Sequence, residues 1–478
     1  MISGRKKELL LLNNAANDDQ SHFIAVYGRR RIGKTFLVRE AFGYRFTFQH
    51  AGLSAGGMKA QLHAFTSSLR DTGFYVKKTP SCWLEAFDLL KDLIRHSTEK
   101  RKILFIDELS WMDTQKSDLM VALENFWNGW ASGRKDIVLI ICCSSTSWML
   151  SKVIHNKGGL YNRLTEQINL QPFSLAECEA FTSAKNIALT RIQLLQYYMV
   201  FGGVPYYWEF LQKGLSVQQN IDNILFSSDA PLKHEYEYLY SSIFKNPDVY
   251  IKIVEALGKK KSGMTRDELI KSTALTNSGG LTTKLEELEK CGFIRKYYAY
   301  GKKRKNAVYQ LVDFFSLFYL SFMGATQSDE HFWSNQINTP SVNTWLGLSF
   351  ERVCMEHISQ IKDRLGISGV STEVNSWYCT PSPENGIGGT QIDMLIVRKD
   401  GIINLCEMKY SSTEYTITEK TDMEIKRKLH NFILATETKF AVFPTLITTY
   451  GLVENAYAND IQAVITLNDL FALPQNRS

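Results

Sequence analysis

The sequence lacks the patterns of a disulfide-stabilised or zinc-binding protein. It has eight cysteines and nine histidines, but no two cysteines have the C-x-x-C spacing and no histidines have a zinc-ligand spacing. Scattered cysteines inside apolar segments are typical of reduced, buried thiols. We therefore predict a cytoplasmic protein without disulfides or a zinc site.

Long apolar runs are also absent. The run at residues 9–12 is too short to be the core of a signal peptide. The most apolar later run, residues 314–323, has only about half the length of a membrane span, so we expect a core helix there. The sequence also has no low-complexity tract and no internal repeat. No membrane partner is predicted.

Charge of neither sign dominates. The net charge is +6 and the pI is about 8.7, which is mildly basic for 478 residues. Such a balance permits a nucleic-acid partner but does not require one. A chain of this length exceeds one ordinary hydrophobic core, so about two to four domains are expected.

One glycine-containing stretch carries a complete phosphate-binding pattern. Residues 26–35, VYGRRRIGKT, fit G-x-x-x-x-G-K-[ST] at every fixed position, between an apolar run and a predicted helix. Loop amides and the helix N-terminus form an anion cradle in this arrangement. The predicted ligand is ATP, and the predicted binding residues are Gly28, Arg29, Arg30, Arg31, Ile32, Gly33, Lys34 and Thr35.

A second motif supplies acids to the same predicted site. Lys34 would reach the β- and γ-phosphates, and the Thr35 hydroxyl would hold Mg²⁺. An apolar run at residues 102–106 ends in Asp107 and Glu108. Because ligands bind at the carboxyl ends of parallel strands, these acids should lie near the loop. Asp107 is predicted to hold Mg²⁺, and Glu108 to accept a proton from the attacking water.

Three features of this region leave alternatives open. The run S-S-T-S at residues 144–147 either places a hydroxyl near the γ-phosphate or caps the next helix. Arg163 is either a charge-stabilising finger, in cis or from a neighbouring subunit, or an ordinary surface arginine. The three loop arginines, residues 29–31, either brace neighbouring acids or face solvent.

After residue 172 the pattern becomes helical and then changes again. Residues 173–240 are predicted to form a small helical subdomain that begins with a cap at Ser174. Residues 241–325 suggest three helices and two strands joined by the basic turn 302–305, which indicates a winged helix and a connecting helix. The basic turn suits phosphate contacts. The recognition helix of such a module would carry three glutamates, so protein packing is an equal alternative to DNA binding.

Residues 342–470 contain carboxylates and a lysine in the order of a nuclease site. A long helix over 344–365 contains Glu351, and a strand near 389–397 contains Asp393. After a tight turn, the next strand places Glu407 and Lys409 on one face. Asp393 and Glu407 would hold Mg²⁺ or Mn²⁺, and Lys409 would orient the water and steady the developing charge. The alternative is a nuclease-like domain that binds without cutting.

These motifs together resemble an AAA-type P-loop ATPase family of archaea and bacteria with a C-terminal nuclease-like domain of unassigned function (DUF234). The resemblance rests on Gly4-Arg5, the phosphate loop, Asp107-Glu108, Ser144-Ser145, Arg163, and the sequence FGGVPYY at residues 201–207. It implies that residues 173–240 form a lid over the nucleotide. Asp393, Glu407-x-Lys409 and the helix acid Glu351 resemble the PD-(D/E)xK nuclease core. Rings are common among AAA-type relatives, so a homo-oligomer is also implied.

The predicted fold class is therefore α/β, in four parts. These are a P-loop ATPase parallel sheet (1–172), a helical lid (173–240), a winged helix with a connecting helix (241–325), and a restriction-endonuclease-like α/β domain (342–470). The predicted function is an ATP-hydrolysing, Mg²⁺-dependent ATPase coupled to a nuclease-like domain that acts on DNA or RNA. Two alternatives are a nucleotide-switch ATPase with a non-cleaving domain and a winged-helix DNA-binding regulator.

Overall fold

The computed structural model describes residues 4–155, 158–244, 246–301, 307–324, 329–381 and 388–473. Its contacts divide the chain into two compact units. The first unit consists of Met1–Pro172, Val204–Tyr206 and Ser241–Lys245, and the second of Phe173–Gly203, Tyr207–Tyr240 and Asn246–Ser478.

The first unit is built on a parallel five-stranded sheet, in the order β2–β3–β4–β1–β5. Its strands are His22–Tyr27 (β1), Phe48–Ala51 (β2), Lys102–Asp107 (β3), Ile137–Cys143 (β4) and Glu166–Asn169 (β5). Every residue of β3 and β4 is buried, as expected for parallel strands covered on both faces. β4 separates β1 from β3, so the residues after all three strands lie side by side at one edge.

Helices cover both faces of this sheet. The helices are Lys6–Asn17 (α1), Lys34–Ala41 (α2), Met58–Asp71 (α3), Trp83–His96 (α4), Leu109–Met112 (α5), Leu119–Gly129 (α6) and Thr146–Met149 (α7), with a 3-10 turn at Ala131–Gly133 and a π-helical turn at Leu150–Ile154. Alternate residues of β1 belong to different cores: Phe23 and Ala25 pack on one face, Ile24 and Val26 on the other. This alternation is the two-residue period of a strand.

The second unit begins with a helical segment. Its helices are Leu175–Ala184 (α8), Arg191–Phe201 (α9), Pro205–Trp208 (α10), Val217–Ile221 (α11), a π-helical turn at Asp222–Phe226, and Glu235–Ser241 (α12). The predicted cap at Ser174 is confirmed, because Ser174 and Glu177 exchange two hydrogen bonds as a capping box. The contact division groups most of this segment with the rest of the second unit.

Three helices and a small antiparallel sheet follow. They are Pro247–Lys259 (α13), Met264–Thr265 (β6), Arg266–Thr273 (α14), Gly279–Lys290 (α15), Ile294–Tyr297 (β7) and Val308–Leu311 (β8). The sheet order is β6–β8–β7. The three helices and the strands β7 and β8 agree with the elements predicted for residues 245–312, whereas β6 was not predicted. The basic turn at 302–305 lies outside the described residues. The predicted core helix is confirmed as Phe314–Phe318 (α16), which is buried throughout and continues into a π-helical turn, Tyr319–Met323.

The C-terminal part is a second five-stranded sheet with helices. Its elements are Phe332–Asn335 (α17), Pro340–Glu356 (α18), Ile358–Arg364 (α19), Thr372–Cys379 (β9), Thr390–Arg398 (β10), Ile402–Lys409 (β11), Glu419–Thr436 (α20), Ala441–Thr448 (β12), a 3-10 turn at Ala458–Asp460, Ala463–Ile465 (β13) and Leu467–Leu470 (α21). The sheet order is β13–β12–β11–β10–β9. The predicted hairpin is confirmed, since β10 and β11 pair antiparallel.

The predicted long helix over 344–365 is wrong in one respect, because it is two helices that meet at His357. The imidazole is 1% exposed. Its Nδ1 donates to the Val353 carbonyl at 2.8 Å, and its Nε2 accepts from the Leu175 amide at 3.1 Å. Burial lowers the pKa of His357 to about 4, so the ring is neutral at pH 7. At this break, the His357 side chain thus accepts a hydrogen bond from the backbone amide of Leu175, which is distant in sequence.

Two other predictions can be compared with the structure. All eight cysteines are free, and six of them are buried, as the sequence predicted. Within the described parts of the chain, no helix is long and apolar enough to cross a membrane.

Candidate functional site

Two glycines give the loop after β1 its shape. Gly28 has φ 138°, and a Cβ on it would lie 2.3 Å from the Leu170 carbonyl oxygen. Gly33 has φ 85°, but a Cβ there would meet no atom within 4 Å. Gly28 is therefore required by both conformation and space, and Gly33 by conformation alone. The loop leads directly into α2, whose first residue is Lys34.

Lys34 joins this loop to the end of β4. Its side chain is buried, and Nζ donates to the carbonyls of Gly28 at 3.0 Å and Arg29 at 2.9 Å. The third donor bonds the Ser144 hydroxyl at 3.1 Å. An ammonium has three donors, so phosphate oxygens would compete with these partners. The Lys34 ammonium therefore lies between the loop carbonyls and the residue that follows β4.

Thr35 and Asp107 lie against each other at the same edge. The Thr35 hydroxyl donates to Asp107 Oδ2 at 2.6 Å. The other carboxylate oxygen accepts from the Glu108 amide at 2.9 Å. A hydroxyl and a carboxylate so close supply the oxygen ligands that Mg²⁺ prefers. The residues present therefore fit the predicted ion.

Ser144 connects the lysine to the second acid. Its amide donates to Glu108 Oε2 at 3.1 Å and its hydroxyl to Oε1 at 2.5 Å. Residues 144–147 were expected either to place a hydroxyl near the γ-phosphate or to cap the next helix. The structure agrees with the first alternative in that the Ser144 hydroxyl lies beside Lys34 and Glu108. Ser145 is the residue before α7, but its side chain makes no capping bond. The Lys34–Ser144–Glu108 chain spans the ends of β1, β4 and β3.

The arginines of this region have separate environments. The Arg31 guanidinium lies 4.3 Å from the centre of the Tyr206 ring, a cation–π contact with the 201–207 motif. This aromatic contact was not among the environments predicted for the loop arginines. Arg163 is exposed. Its proposed finger role stays a prediction.

In the second unit, Glu407 of β11 is held between two lysines. Its Oε1 lies 2.8 Å from Lys409 Nζ, and its Oε2 lies 2.7 Å from Lys428 Nζ. Burial would raise the pKa of Glu407, but the two ammonium groups outweigh burial and lower it. Burial would likewise lower the pKa of Lys409, and Glu407 outweighs it and raises that pKa.

Sequence reasoning did not place Lys428 in the site. The signal was there, because Lys428 lies three residues after Ile425 and four before Phe432, both buried on α20. Helical residues at these spacings share a face. Lys428 therefore points along the buried face of the helix toward the sheet.

Asp393 and Glu351 lie in the same neighbourhood. Asp393 follows the β10–β11 register one step beyond the Met394–Cys406 pair, opposite Glu407. Burial first, and then the charge of Asp393, raises the pKa of Glu351 to about 7. Among the described residues, no three acidic, histidine or cysteine groups are arranged to hold a metal ion. The carboxylates that fit best are Asp393 and Glu407, and the lysines on Glu407 compete with a metal.

Residues 3–211 match the model of a family described as an ATPase domain predominantly from Archaea. The match contains β1–β5, the loop and both acids, and it extends through the 201–207 motif. This part of the chain is therefore similar to that ATPase family.

Two proteins of one organism are similar in sequence to different portions of the chain. An uncharacterized protein of Methanocaldococcus jannaschii is 24% identical over 433 residues, which are 90% of this chain and 92% of that protein. An uncharacterized ATP-binding protein of the same organism is 42% identical over 40 residues, 8% of this chain and 68% of that protein.

Solved structures show weaker likeness. A Walker-type ATPase of Pyrococcus abyssi has a TM-score of 0.47 and 16% identity, covering 67% of this chain and 96% of that chain. The ORC2 protein of Aeropyrum pernix, in complexes with ADPNP and ADP, has a TM-score of 0.38 and 14% identity, covering 75% of this chain and 97% of that chain.

Proposed function

We propose that the ATPase domain hydrolyses ATP with Mg²⁺ and that the second unit acts on nucleic acid. The observation that carries the first part is the hydrogen-bonded chain Lys34–Ser144–Glu108 beside the Thr35–Asp107 pair. These side chains come from three neighbouring strand ends, as a nucleotide site requires.

Each residue has a role in this proposal. Lys34 binds the β- and γ-phosphates, and Thr35 and Asp107 would hold Mg²⁺, which neutralises phosphate charge when bound. Glu108 takes the proton of the attacking water, and Ser144 fixes the orientation of that carboxylate. Arg163 is proposed as the finger that stabilises the transferred charge, which in a homo-oligomer would come from a neighbouring copy.

For the second unit we propose metal-dependent cleavage of a phosphodiester. Asp393 and Glu407 would hold Mg²⁺ or Mn²⁺, which activates water and neutralises charge when bound. Lys409 orients the water and steadies the charge on phosphorus. Lys428 adds a second ammonium beside Glu407. The three-helix module, residues 247–311, is proposed to be a winged helix.

A second candidate function rests on the same contacts. Because both oxygens of Glu407 are paired with ammonium groups, a metal there would compete with two positive charges. This favours a nucleotide-switch ATPase whose C-terminal domain binds partners without cutting. The two candidates differ in whether Lys409 supports any chemistry.

The deciding experiment measures cleavage of single- and double-stranded DNA and RNA with Mg²⁺ or Mn²⁺, with and without ATP. Wild type, Lys409→Ala and the exposed control Lys399→Ala are compared. Cleavage that is lost in Lys409→Ala and retained in Lys399→Ala supports the nuclease. No cleavage of any substrate by wild type, with ATP hydrolysis intact, supports the switch instead.

A further inference from the structure

The second unit contains a cavity of about 550 Å³ between its three-helix module and its C-terminal sheet. One wall comes from the loop before β6 and from β7, and the other from α18, β9 and β10. Glu351 and Asp393 open into it, whereas Glu407 and Lys409 do not line it. The acidic end of the cavity is therefore part of the site already described, and the remainder is not.

Two arginines, Arg295 and Arg352, line the cavity. Arg352 is 6% exposed and donates to the carbonyls of Leu348 at 2.9 Å and of Leu311 and Lys261 at 3.4 Å each. Arg295 donates to the Gln310 side chain at 2.7 Å. Within the described residues neither guanidinium forms a salt bridge. These carbonyl and amide oxygens accept hydrogen bonds without neutralising the charges, and the carboxylates that act on the arginines, Glu351 and Asp393, lie at the acidic end of the same cavity.

The two positive charges act on each other. Burial first, and then the charge of Arg295, lower the pKa of Arg352 to about 10, against the opposing charges of Glu351 and Asp393. Arg352 is buried and Arg295 is half-buried, and two such cations close together are costly unless an anion joins them. Guanidinium groups match phosphate through parallel N–H bonds. Lys260 and Lys261 also line the cavity, and Glu268, which pairs with Lys260, offsets one of these charges, so Lys261 is the third cation without a carboxylate partner among the described residues.

The size of the cavity limits its occupant. A volume of 550 Å³ equals a cube about 8 Å on a side, too narrow for a duplex, whose major groove alone is roughly 12 Å wide. Tyr378 also lines the cavity and is 43% exposed, which makes it a platform on which a base can stack. Positive charge beside an exposed aromatic ring is typical of single-strand binding.

We propose that this cavity binds a single nucleic-acid strand, with one phosphate between Arg295 and Arg352 and a base on Tyr378. The proposal rests on the nucleic-acid function proposed above and names the substrate form as a single strand or an unpaired end. The strand would enter beside the three-helix module and bring a phosphodiester toward Asp393.

The test measures fluorescence anisotropy of labelled oligothymidylate and of a labelled duplex with the full chain, in EDTA and without ATP. Arg295→Gln is compared with Lys296→Gln, which removes the same charge from the next residue of β7, on the other face of the strand. Arg295→Gln should weaken single-strand binding about tenfold and reduce the slope of log affinity against log salt by about 0.7. Lys296→Gln should bind as wild type does.

Tyr378→Ala provides a second variant at an exposed position, with the thermal midpoint as the folding control. It should weaken single-strand binding about tenfold while leaving the salt slope unchanged, because it removes stacking and not charge. Equal effects of Arg295→Gln and Lys296→Gln would overturn the assignment. Duplex binding as tight as single-strand binding would also overturn it. So would equal competition, in which inorganic phosphate or ATP displaces the labelled oligothymidylate as well as the unlabelled oligothymidylate does.

This test is independent of cleavage. If no substrate is cut but single-strand binding still depends on Arg295 and Tyr378, the nuclease proposal fails and the cavity assignment stands. If substrates are cut and single-strand binding is unchanged by substitution of Arg295 or Tyr378, the cavity assignment fails and the nuclease proposal stands.

Discussion

At the scale of single residues, Ser144 and Glu407 show how a charged group is held in place for chemistry. Ser144 lies between an ammonium and a carboxylate, and its amide and hydroxyl fix both oxygens of Glu108. Glu407 lies between two ammonium groups. In the first case the acid is left with a neutral hydrogen-bond partner, and in the second with two counter-charges. A proton acceptor needs the first environment more than the second.

Glu108→Gln should bind ATP with unchanged affinity but hydrolyse it about 10²- to 10⁴-fold more slowly, because an amide cannot take the proton from water. The measurements are nucleotide affinity and the rate of phosphate release. Asp92→Asn, at a half-buried acid of α4 that pairs with Arg95, should hydrolyse ATP as wild type does. Full turnover by Glu108→Gln would remove Glu108 from the role of base.

Glu351→Gln should change how the stability of the chain depends on pH. The pKa of Glu351 rises from 4.5 to about 7, chiefly through burial, so the native state binds more protons than the unfolded state across that window. Stability from this group is therefore greatest below pH 4.5 and is lost as pH rises toward 7. Glutamine does not titrate, so the variant should gain about 1–2 kcal/mol on wild type between pH 5 and pH 8.

Urea unfolding at pH 5 and pH 8 measures this difference. The exposed Glu373→Gln, on the neighbouring β9, is the matched control and should show no pH-dependent gain. A constant difference between Glu351→Gln and wild type at both pH values would contradict a raised pKa.

At the scale of elements, close backbone contacts decide where helices end. The chain leaves α9 through Gly202 and Gly203, where the Phe173 amide donates to the Gly203 carbonyl at 2.6 Å. A Cβ on Gly203 would lie 1.8 Å from the Phe173 carbonyl oxygen. Backbone atoms cannot move aside by changing a rotamer. The glycine is thus required by space, since the start of α8 and the end of α9 touch there.

Gly203→Ala should destabilise the second unit by about 3 kcal/mol or more, because the clash is with backbone. Gly347→Ala is the matched control, since it lies inside α18 and a Cβ there would meet no atom within 4 Å. That change should stabilise the chain by about 0.5–1 kcal/mol. Chemical unfolding of both variants measures the two effects. Equal stability of the two variants would be incompatible with the contact at Phe173.

At the scale of the whole molecule, the two proposed chemistries use separate compact units. The nucleotide-site residues belong to the first unit, and Glu351, Asp393, Glu407 and Lys409 belong to the second. No side chain is shared by the two sites. Variants in one unit should therefore leave the basal activity of the other unit unchanged. They should change only the effect that ATP has on cleavage.

Lys34→Ala should lose ATP binding and with it any effect of ATP on cleavage, while cleavage without ATP remains at the wild-type rate. Lys409→Ala should do the reverse, losing cleavage by about a hundredfold or more while ATP hydrolysis continues. Parallel assays of phosphate release and strand cleavage measure both. Loss of both activities in either variant would show that the two sites are not separable.

The sequence by itself predicted what depends on consecutive residues. The loop between β1 and α2, the acids at the end of β3, the cap at Ser174 and the hairpin between β10 and β11 lie along the chain where the sequence predicted them. Each follows from local rules: a glycine for a positive φ, a side chain that caps its own helix, or a tight turn between alternating strands. Such rules act over a few residues, so no knowledge of the remaining fold is needed.

Only the tertiary structure decided which distant residues meet. The sequence did not predict that Lys428 would reach Glu407, that Arg31 would stack on Tyr206, or that His357 would split a helix to accept the Leu175 amide. The paired arginines of the cavity were missed for the same reason. These contacts depend on strand order, register and helix placement, which are set by the packing of whole cores and not by any one segment.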